Sequence, residues 1–281
     1  MNNAAKSVVL FALTGIGNTV LRALTEIGCK PVLLVSRQES AEYPYYEETQ
    51  ICEEARKLGI PVMYGEDGEK ETLRLKPDVI FSATYHRLIS NEVIASAKHA
   101  YNLHPSLLPL YPGKNPFYGA LINNEPISGV SIHQLTEKFD EGEIVYQKNL
   151  KIRPDETQGS LRYALAQLAG EATKAFFAQI DSPTLVKPQV KQTSAESVFG
   201  QVKDHQRIVE LSNTAELICR QVRALTPWPQ AVLQELGCSV QKVILVDYNT
   251  TSDARPGTIL SVNQTTTRVK VADAEITFSI H

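Results

Sequence analysis

The sequence predicts an α/β protein in two parts, a mostly parallel sheet domain followed by a small β-barrel, and three observations carry that expectation. Short apolar runs alternate with helix-spaced amphipathic stretches from residue 7 to residue 104. The segment DSPTLVKPQVKQTSAES (181–197) has no hydrophobic period and carries two prolines. Several short runs separated by turn residues follow it. Alternating strands and helices imply parallel pairing with both sheet faces covered. Closely spaced short strands suit a small barrel. The expected division is a first domain over 1–181, a linker over 182–204 and a β-barrel domain over 205–281.

Each element follows from local pattern. SVVLFAL (7–13) reads as a buried strand, and NTVLRALTEIG (18–28) as a helix stopped by glycine. KPVLLVS (30–36) is a second strand, YYEETQICEEARKLG (45–59) a second helix and IPVMYG (60–65) a third strand. PDVIFSATY (77–85) is a fourth, followed by a helix over 90–98 capped by Ser90 or Asn91. AYNLH (100–104) is a fifth strand, after which NLHPSLLPLYPG (102–113) is too rich in proline and glycine for a helix. Further strands are expected at 129–135 and 142–152, and one long helix at 157–180. Beyond the linker, a helix over 213–225 precedes strand-like runs at 230–236, 241–248, 257–262 and 268–280.

Composition narrows the function classes. The chain has 281 residues, is 43% hydrophobic and carries a net charge of −3, with a pI near 6.1. That balance gives no strong field for nucleic acid or for an anionic membrane. The longest apolar runs fall far short of a membrane span, so no membrane partner is expected. The start, MNNAAK, lacks the basic-then-apolar order of a signal peptide. Cys29, Cys52, Cys219 and Cys238 are scattered, with no CxxC and no metal-ligand spacing. A reduced, cytoplasmic protein without a metal site is the expectation.

Two constellations invite chemistry. GIGNTV (15–20) has two glycines of a dinucleotide fingerprint, but Val20 replaces the third, and Ser36 and Arg37 stand where an acidic residue belongs. A tight strand-to-helix turn explains it equally. Asn102 and His104 lie two apart on a strand and therefore share a face. Ligands of parallel sheets bind beyond the strand C-termini, where these two sit. A histidine there can take a proton, a carboxylate such as Asp140 can orient it, and an amide can donate to an oxygen gaining charge. Those roles suit acyl transfer. Spacing alone also describes a hydrogen-bonded structural histidine and a turn aspartate, the commoner case. Trp228, between two prolines, reads as a packed anchor, and His86 as an exposed loop residue. No role in chemistry is evident for His133.

The stretch 101–147 resembles the core of the folate-dependent formyltransferases, the family of methionyl-tRNA formyltransferase and the amino-sugar N-formyltransferases. The resemblance rests on Asn102-x-His104, SLLP (106–109), SGVSIH (128–133) and DEG (140–142), and extends to PDVIFSATYHRLI (77–89). VRALTPWPQA (222–231) and RPGTIL (255–260) resemble the barrel that follows the catalytic domain in such enzymes. The resemblance implies a Rossmann-like catalytic domain and an OB-like C-terminal domain. It implies 10-formyltetrahydrofolate as co-substrate, His104 handling the proton, Asp140 raising the pKa of the histidine, and Asn102 stabilising the oxyanion. Folate contacts carried over by position are Arg87, Leu88, Ile89, Lys114 and the stretch Thr136, Glu137, Lys138, Phe139 and Asp140.

Departures bear on the acceptor. Leu110 and Pro112 stand where the tRNA enzymes tend to carry basic residues, and RQESAEYPYYEE (37–48) is acidic and aromatic where those enzymes carry lysines. From Ser182 onward there are ten Lys+Arg against nine Asp+Glu, a weak footprint for tRNA. The expected acceptor is therefore a small-molecule primary amine on a nucleotide-linked amino sugar. Initiator tRNA and an amino-acid amine are the alternatives, and a homodimer is left open. Tyr43, Tyr45, Tyr46 and Lys114 are candidates for holding the nucleotide.

Overall fold

The computed structural model describes residues 6–38, 49–181, 200–250 and 252–281. They form two compact units. The first comprises residues 1–113, 127–151 and 163–198, and the second 114–126, 152–162 and 199–281. Two internal segments thus group with the C-terminal part of the chain.

The first unit opens with β1 (Val8–Ala12), α1 (Ile16–Glu26), β2 (Leu33–Ser36), α2 (Ile51–Lys57), β3 (Val62–Tyr64), α3 (Gly65–Leu75), β4 (Val79–Ala83), α4 (Asn91–Ala95) and β5 (His99–His104). After α5 (Pro116–Ile122), which belongs to the second unit, come β6 (Ile127–Gln134), β7 (Ile144–Lys151) and α6 (Gln158–Phe177). The sheet order is β3-β2-β1-β4-β5-β6-β7. The first five strands are parallel, whereas β6 runs antiparallel to β5 and to β7. The α/β, Rossmann-like expectation holds. Every residue of β1, β2 and β4 is buried, which is why these strands read as unbroken apolar runs. On one face Val9, Phe11, Val35 and Ile80 pack with Tyr85 and Ile89. Elsewhere in this unit Phe81 meets Phe177 edge-on at 5.3 Å, and Tyr101 meets Phe176 at 4.9 Å.

The pattern reading misses α3. Its sequence GEDGEKETLRL is mostly charged, and its apolar stripe is only Leu73 and Leu75, both packed on the core. Gly68 admits the helix close to the sheet, since a Cβ there would run into the Val35 side chain. The helix expected over 18–28 starts earlier, at Ile16. Gly17 lets it settle on β1, where a Cβ would lie 2.9 Å from that of Ala12. The helix expected over 45–59 is seen at 51–57, and Tyr43, Tyr45 and Tyr46 lie outside the described residues.

The second unit holds α5, the first residues of α6, α7 (Asp204–Arg207), α8 (Ala215–Leu225), β8 (Ala231–Leu233), β9 (Cys238–Asp247), β10 (Ile259–Val262), β11 (Thr266–Lys270) and β12 (Glu275–Ile280). Its sheet is antiparallel in the order β10-β11-β12-β9-β8. Among the described residues the end strands do not pair with each other, so the barrel is a half-barrel. The run 268–280 is a hairpin, closed where Val271 N–H donates to Ala274 O. The helix α5 follows directly on the proline-rich stretch, with Pro116 in its first turn where no N–H is needed. It packs on α8, and Gln158 Nε2 donates to Ala224 O at 3.0 Å. Trp228 is 57% exposed, not a packed anchor. Its neighbour Pro227 makes the close contact instead, against Gly159.

Candidate active site

The face that carries Asn102 and His104 ends in a polar cluster supplied by two strands and two loops of the first unit. Strand alternation aims both side chains to one side of β5, and antiparallel pairing brings β6 alongside with Asn102 opposite His133 and His104 opposite Ser131. Asp140 lies on the loop after β6. Its Oδ1 is 3.3 Å from His104 Nδ1, 3.5 Å from His133 Nε2 and 3.5 Å from Asn102 Nδ2. Its Oδ2 accepts the Gly113 N–H at 2.8 Å. The three residues expected to act together are thus brought together.

Local backbone explains the Asp-Glu-Gly sequence. Asp140 has φ +58°, a left-handed conformation that aspartate tolerates better than most residues. Gly142 must lack a Cβ, because one would run into the Gln134 carbonyl oxygen. That same oxygen lies 2.9 Å from His133 Nδ1, which therefore carries a proton and donates. The other nitrogen, Nε2, is left to accept from Asn102 Nδ2 at 3.0 Å. One amide hydrogen of Asn102 is spent on His133. The second points toward Asp140 Oδ1 at long range, into the space beside His104 Nδ1. Sequence reading gives His133 no part here. The register of β5 against β6 is the signal that finds it.

His104 is 5% exposed and His133 1%. For His104 burial lowers the pKa below the ordinary histidine value, and the nearby His133 adds to this. The Asp140 carboxylate and the Tyr111 carbonyl pull upward without cancelling it. Asp140 acts upward on the histidine, as expected of it, but desolvation outweighs that attraction and the net shift is downward. Burial also opposes the charge of Asp140, yet the His104 ring, the His133 ring and the Gly113 N–H together hold its carboxyl down to about 2. His104 Nε2 sits 2.9 Å from Tyr111 O, so that nitrogen carries the proton and Nδ1 is the one free to accept.

The other expected contacts are dispersed. Arg87 lies 3.8 Å from Glu66. Leu88 and Phe139 are 46% and 51% exposed. Ile89 is only 4% exposed and packs in the core, leaving its backbone alone for a ligand. Thr136 Oγ1 bridges to Lys138 in a local turn, Lys138 pairs with Glu141, and Asn91 Nδ2 donates to Glu137, tying the start of α4 to the loop after β6. Lys114 is an exposed residue of the second unit. At the GIG turn Asn18 Oδ1 accepts the Gly15 N–H at 2.9 Å, and Asn18 Nδ2 donates to Glu54 at 2.7 Å. Protein atoms fill that turn and place a carboxylate beside it. A cavity of about 270 Å³ in the second unit, lined by Leu121, Asn124, Arg153 and Arg223 among others, contains none of the cluster's residues.

Residues 32–176 match the family model described as formyl transferase, and residues 201–280 match formyl transferase, C-terminal domain. Methionyl-tRNA formyltransferase of Bacillus mycoides is 30% identical over 257 residues, covering 87% of this chain and 80% of that protein. The bifunctional polymyxin resistance protein ArnA of Wigglesworthia glossinidia brevipalpis is 28% identical over 96% of this chain and 42% of its own length. Among solved structures, an N-formyltransferase of Helicobacter canadensis in complex with folinic acid and dTDP-3-aminofucose matches with a TM-score of 0.79 at 18% identity, over 98% of this chain and 100% of that one. WlaRD, a sugar 3N-formyl transferase in the presence of dTDP and 5-N-formyl-THF, matches at 0.75 and 16% identity, over 99% and 98% of the two chains. With its sheet domain and its half-barrel each matched in chain order, the chain belongs to the formyl transferase family.

Proposed function

We propose that this chain transfers a formyl group from 10-formyltetrahydrofolate to the primary amine of a nucleotide-linked amino sugar, with Asn102, His104 and Asp140 as the catalytic residues. The observation that carries the reading is the convergence of those three side chains on one buried point at the end of β5. The folate supplies a formyl carbon activated for attack by an amine. Two exposed apolar side chains, Leu88 and Phe139, suit a flat ring system, and a hydrogen bond from Asn91 to Glu137 joins the start of α4 to the loop that carries Phe139. Arg87, Lys114 and the main chain of 136–140 are the further proposed contacts.

His104 is kept neutral by burial and protonated on Nε2, so its Nδ1 accepts the proton released by the attacking amine. The Asp140 carboxylate, 3.3 Å away, stabilises the imidazolium that results. The second amide hydrogen of Asn102 turns to the formyl oxygen as that atom gains negative charge. His104 then returns the proton to the departing amine nitrogen, leaving the N-formyl product.

The acceptor reading is supported by charge. In the second unit Arg207 pairs with Asp204, Arg220 with Glu216, and Arg268 with Glu275 and Asp247, which blunts any field for a polyanion. It is supported also by structural neighbours whose ligands are dTDP or a dTDP-linked amino sugar. A second reading, formylation of methionyl-tRNA, is favoured by the 30% identical Bacillus relative. Competition between a panel of dTDP- and UDP-amino sugars and charged initiator tRNA, in one assay with 10-formyltetrahydrofolate, decides between them. Formylation of the tRNA alone, falling steeply with salt, rejects the sugar reading.

A further inference from the structure

Beneath the loop over 105–113 lies a buried polar network built on β6 and β7. Ser131 and Gln147 are paired in register on β6 and β7, and they are 0% and 8% exposed. Ser131 Oγ donates to Ser106 O at 2.7 Å and accepts from Leu108 N at 2.9 Å. Gln147 Nε2 donates to Ser131 Oγ and to Leu108 O, each at 2.8 Å. Ser106, itself 1% exposed, donates from Oγ to Leu110 O at 2.6 Å. The Ser131 hydroxyl and both Gln147 amide hydrogens are thereby used, and four of these five bonds end on the loop backbone.

What this network holds is the segment that reaches the histidine. Tyr111 O meets His104 Nε2, and two residues later Gly113 N–H meets Asp140 Oδ2. Tyr111 adopts φ +57°, a left-handed conformation that a bulky residue keeps only where its surroundings fix it. The carbonyl so aimed decides which nitrogen of His104 carries the proton: at 2.9 Å from Nε2 it is in hydrogen-bond reach, whereas Asp140 Oδ1, intrinsically the stronger acceptor, stands back at 3.3 Å from Nδ1. Without it, Asp140 would draw the proton to Nδ1 and leave a ring unable to accept at the reacting side.

We propose that Ser131 and Gln147 are positioning residues for the proton transfer: they clamp the 105–113 loop so that the Tyr111 carbonyl locks His104 in its Nε2–H tautomer and the Gly113 N–H anchors Asp140. The inference rests on the reading of His104 and Asp140 as catalytic, and it names residues that act on them without touching substrate. Gln147→Met keeps the volume and removes the donors. Ser131→Ala removes one hydroxyl from the same network, and Ser131→Thr restores it.

The experiment pairs steady-state kinetics with ¹⁵N NMR of histidine-labelled enzyme. In the parent protein the ring nitrogens of His104, assigned by His104→Gln, should report a single Nε2–H form. In Gln147→Met and in Ser131→Ala the ring should shift toward Nδ1–H or a mixture. kcat should fall about 10–100-fold, the scale set by a misplacement of roughly 1 Å, with KM for both substrates nearly unchanged and the pH profile of kcat/KM displaced. Ser131→Thr should recover both readouts. Unchanged tautomer and pH profile overturn the proposal, whether or not the rate falls, since a rate loss alone is what a structural role gives. If Gln147→Met does not fold, Ser131→Ala reads the same outcomes. Should His104→Gln itself keep full activity, the catalytic assignment fails instead, and the ring spectra still report on the clamp.

Discussion

Asp140→Asn tests the electrostatics of the cluster through stability as well as rate. The carboxyl, with 6% of its side chain exposed, is held at about 2 against an ordinary value of 3.8. A depressed carboxylate pKa contributes stability that is complete above the unfolded value and is lost as pH falls through the folded one. A shift of nearly two units corresponds to about 2 kcal/mol at neutral pH. By pH 3 roughly half of that contribution has gone, because the unfolded chain already binds the proton. Asparagine keeps the shape and can still accept from Gly113, so the difference between the two proteins isolates the charge. The assay is urea denaturation of parent and variant at pH 7, 5, 4 and 3, with formyl transfer measured alongside. Because only the parent carries the depressed carboxyl, its stability relative to the variant should fall by about 1 kcal/mol between pH 5 and pH 3, and the variant's turnover should fall by orders of magnitude. A difference between the two proteins that stays constant from pH 5 to pH 3 refutes the placement of the carboxylate between the two rings.

Other consequences are open to direct measurement. Asn102→Ala and His104→Ala should each lower kcat by about 10²–10³ or more, the usual loss for an oxyanion donor or a proton acceptor, with unchanged circular dichroism; near-normal turnover in either rejects its role. Gly142→Ala should depress activity and stability together, since its Cβ displaces the Gln134 carbonyl that holds His133; an active, stable variant would show that the loop accommodates it. Residues 1–204 alone should keep the seven-stranded sheet yet bind hydrophobic dyes, because α5, with Phe117 and Leu121 buried, loses the α8 surface it packs on; a truncated chain as soluble and dye-free as the parent contradicts the grouping of 114–126 with the C-terminal part.

Legibility in the sequence tracks how local each determinant is. Parity along one strand is enough to put Asn102 and His104 on one face, and alternation of apolar runs is enough for five parallel strands. His133 requires knowing which residue of β6 lies opposite Asn102, and pairing register between strands separated by a 22-residue connection is not written in either strand. The helix α3 hides because its hold on the sheet rests on an absent side chain, Gly68, and on only two apolar residues, Leu73 and Leu75. Trp228 misleads because flanking prolines suggest anchoring, whereas the packing is done by Pro227 against Gly159. The sign of the His104 shift cannot be read from sequence either, since it depends on depth of burial and not on which carboxylate is near.

The reversal of direction between β5 and β6 is what builds the cluster. In a run of parallel strands all the following loops leave from the same edge, and each strand end presents its own residues to one crevice. Here the loop over 105–113 leaves the C-terminal end of β5, while the loop over 135–143 leaves β6 beside the start of β5. Both fold back over the same face from opposite ends and meet where Gly113 N–H binds Asp140 Oδ2 at 2.8 Å. His104 therefore has both nitrogens faced by different loops: Tyr111 O accepts from Nε2–H, and Asp140 Oδ1 lies 3.3 Å from Nδ1, placed to hold that nitrogen once it is protonated. The loop over 105–113 makes its return with Tyr111 and Gly113 at positive φ, and the loop over 135–143 with Asp140. A ring held in this way has its tautomer and its orientation set by backbone and carboxylate together, so proton transfer at Nδ1 proceeds without any reorganisation of the ring.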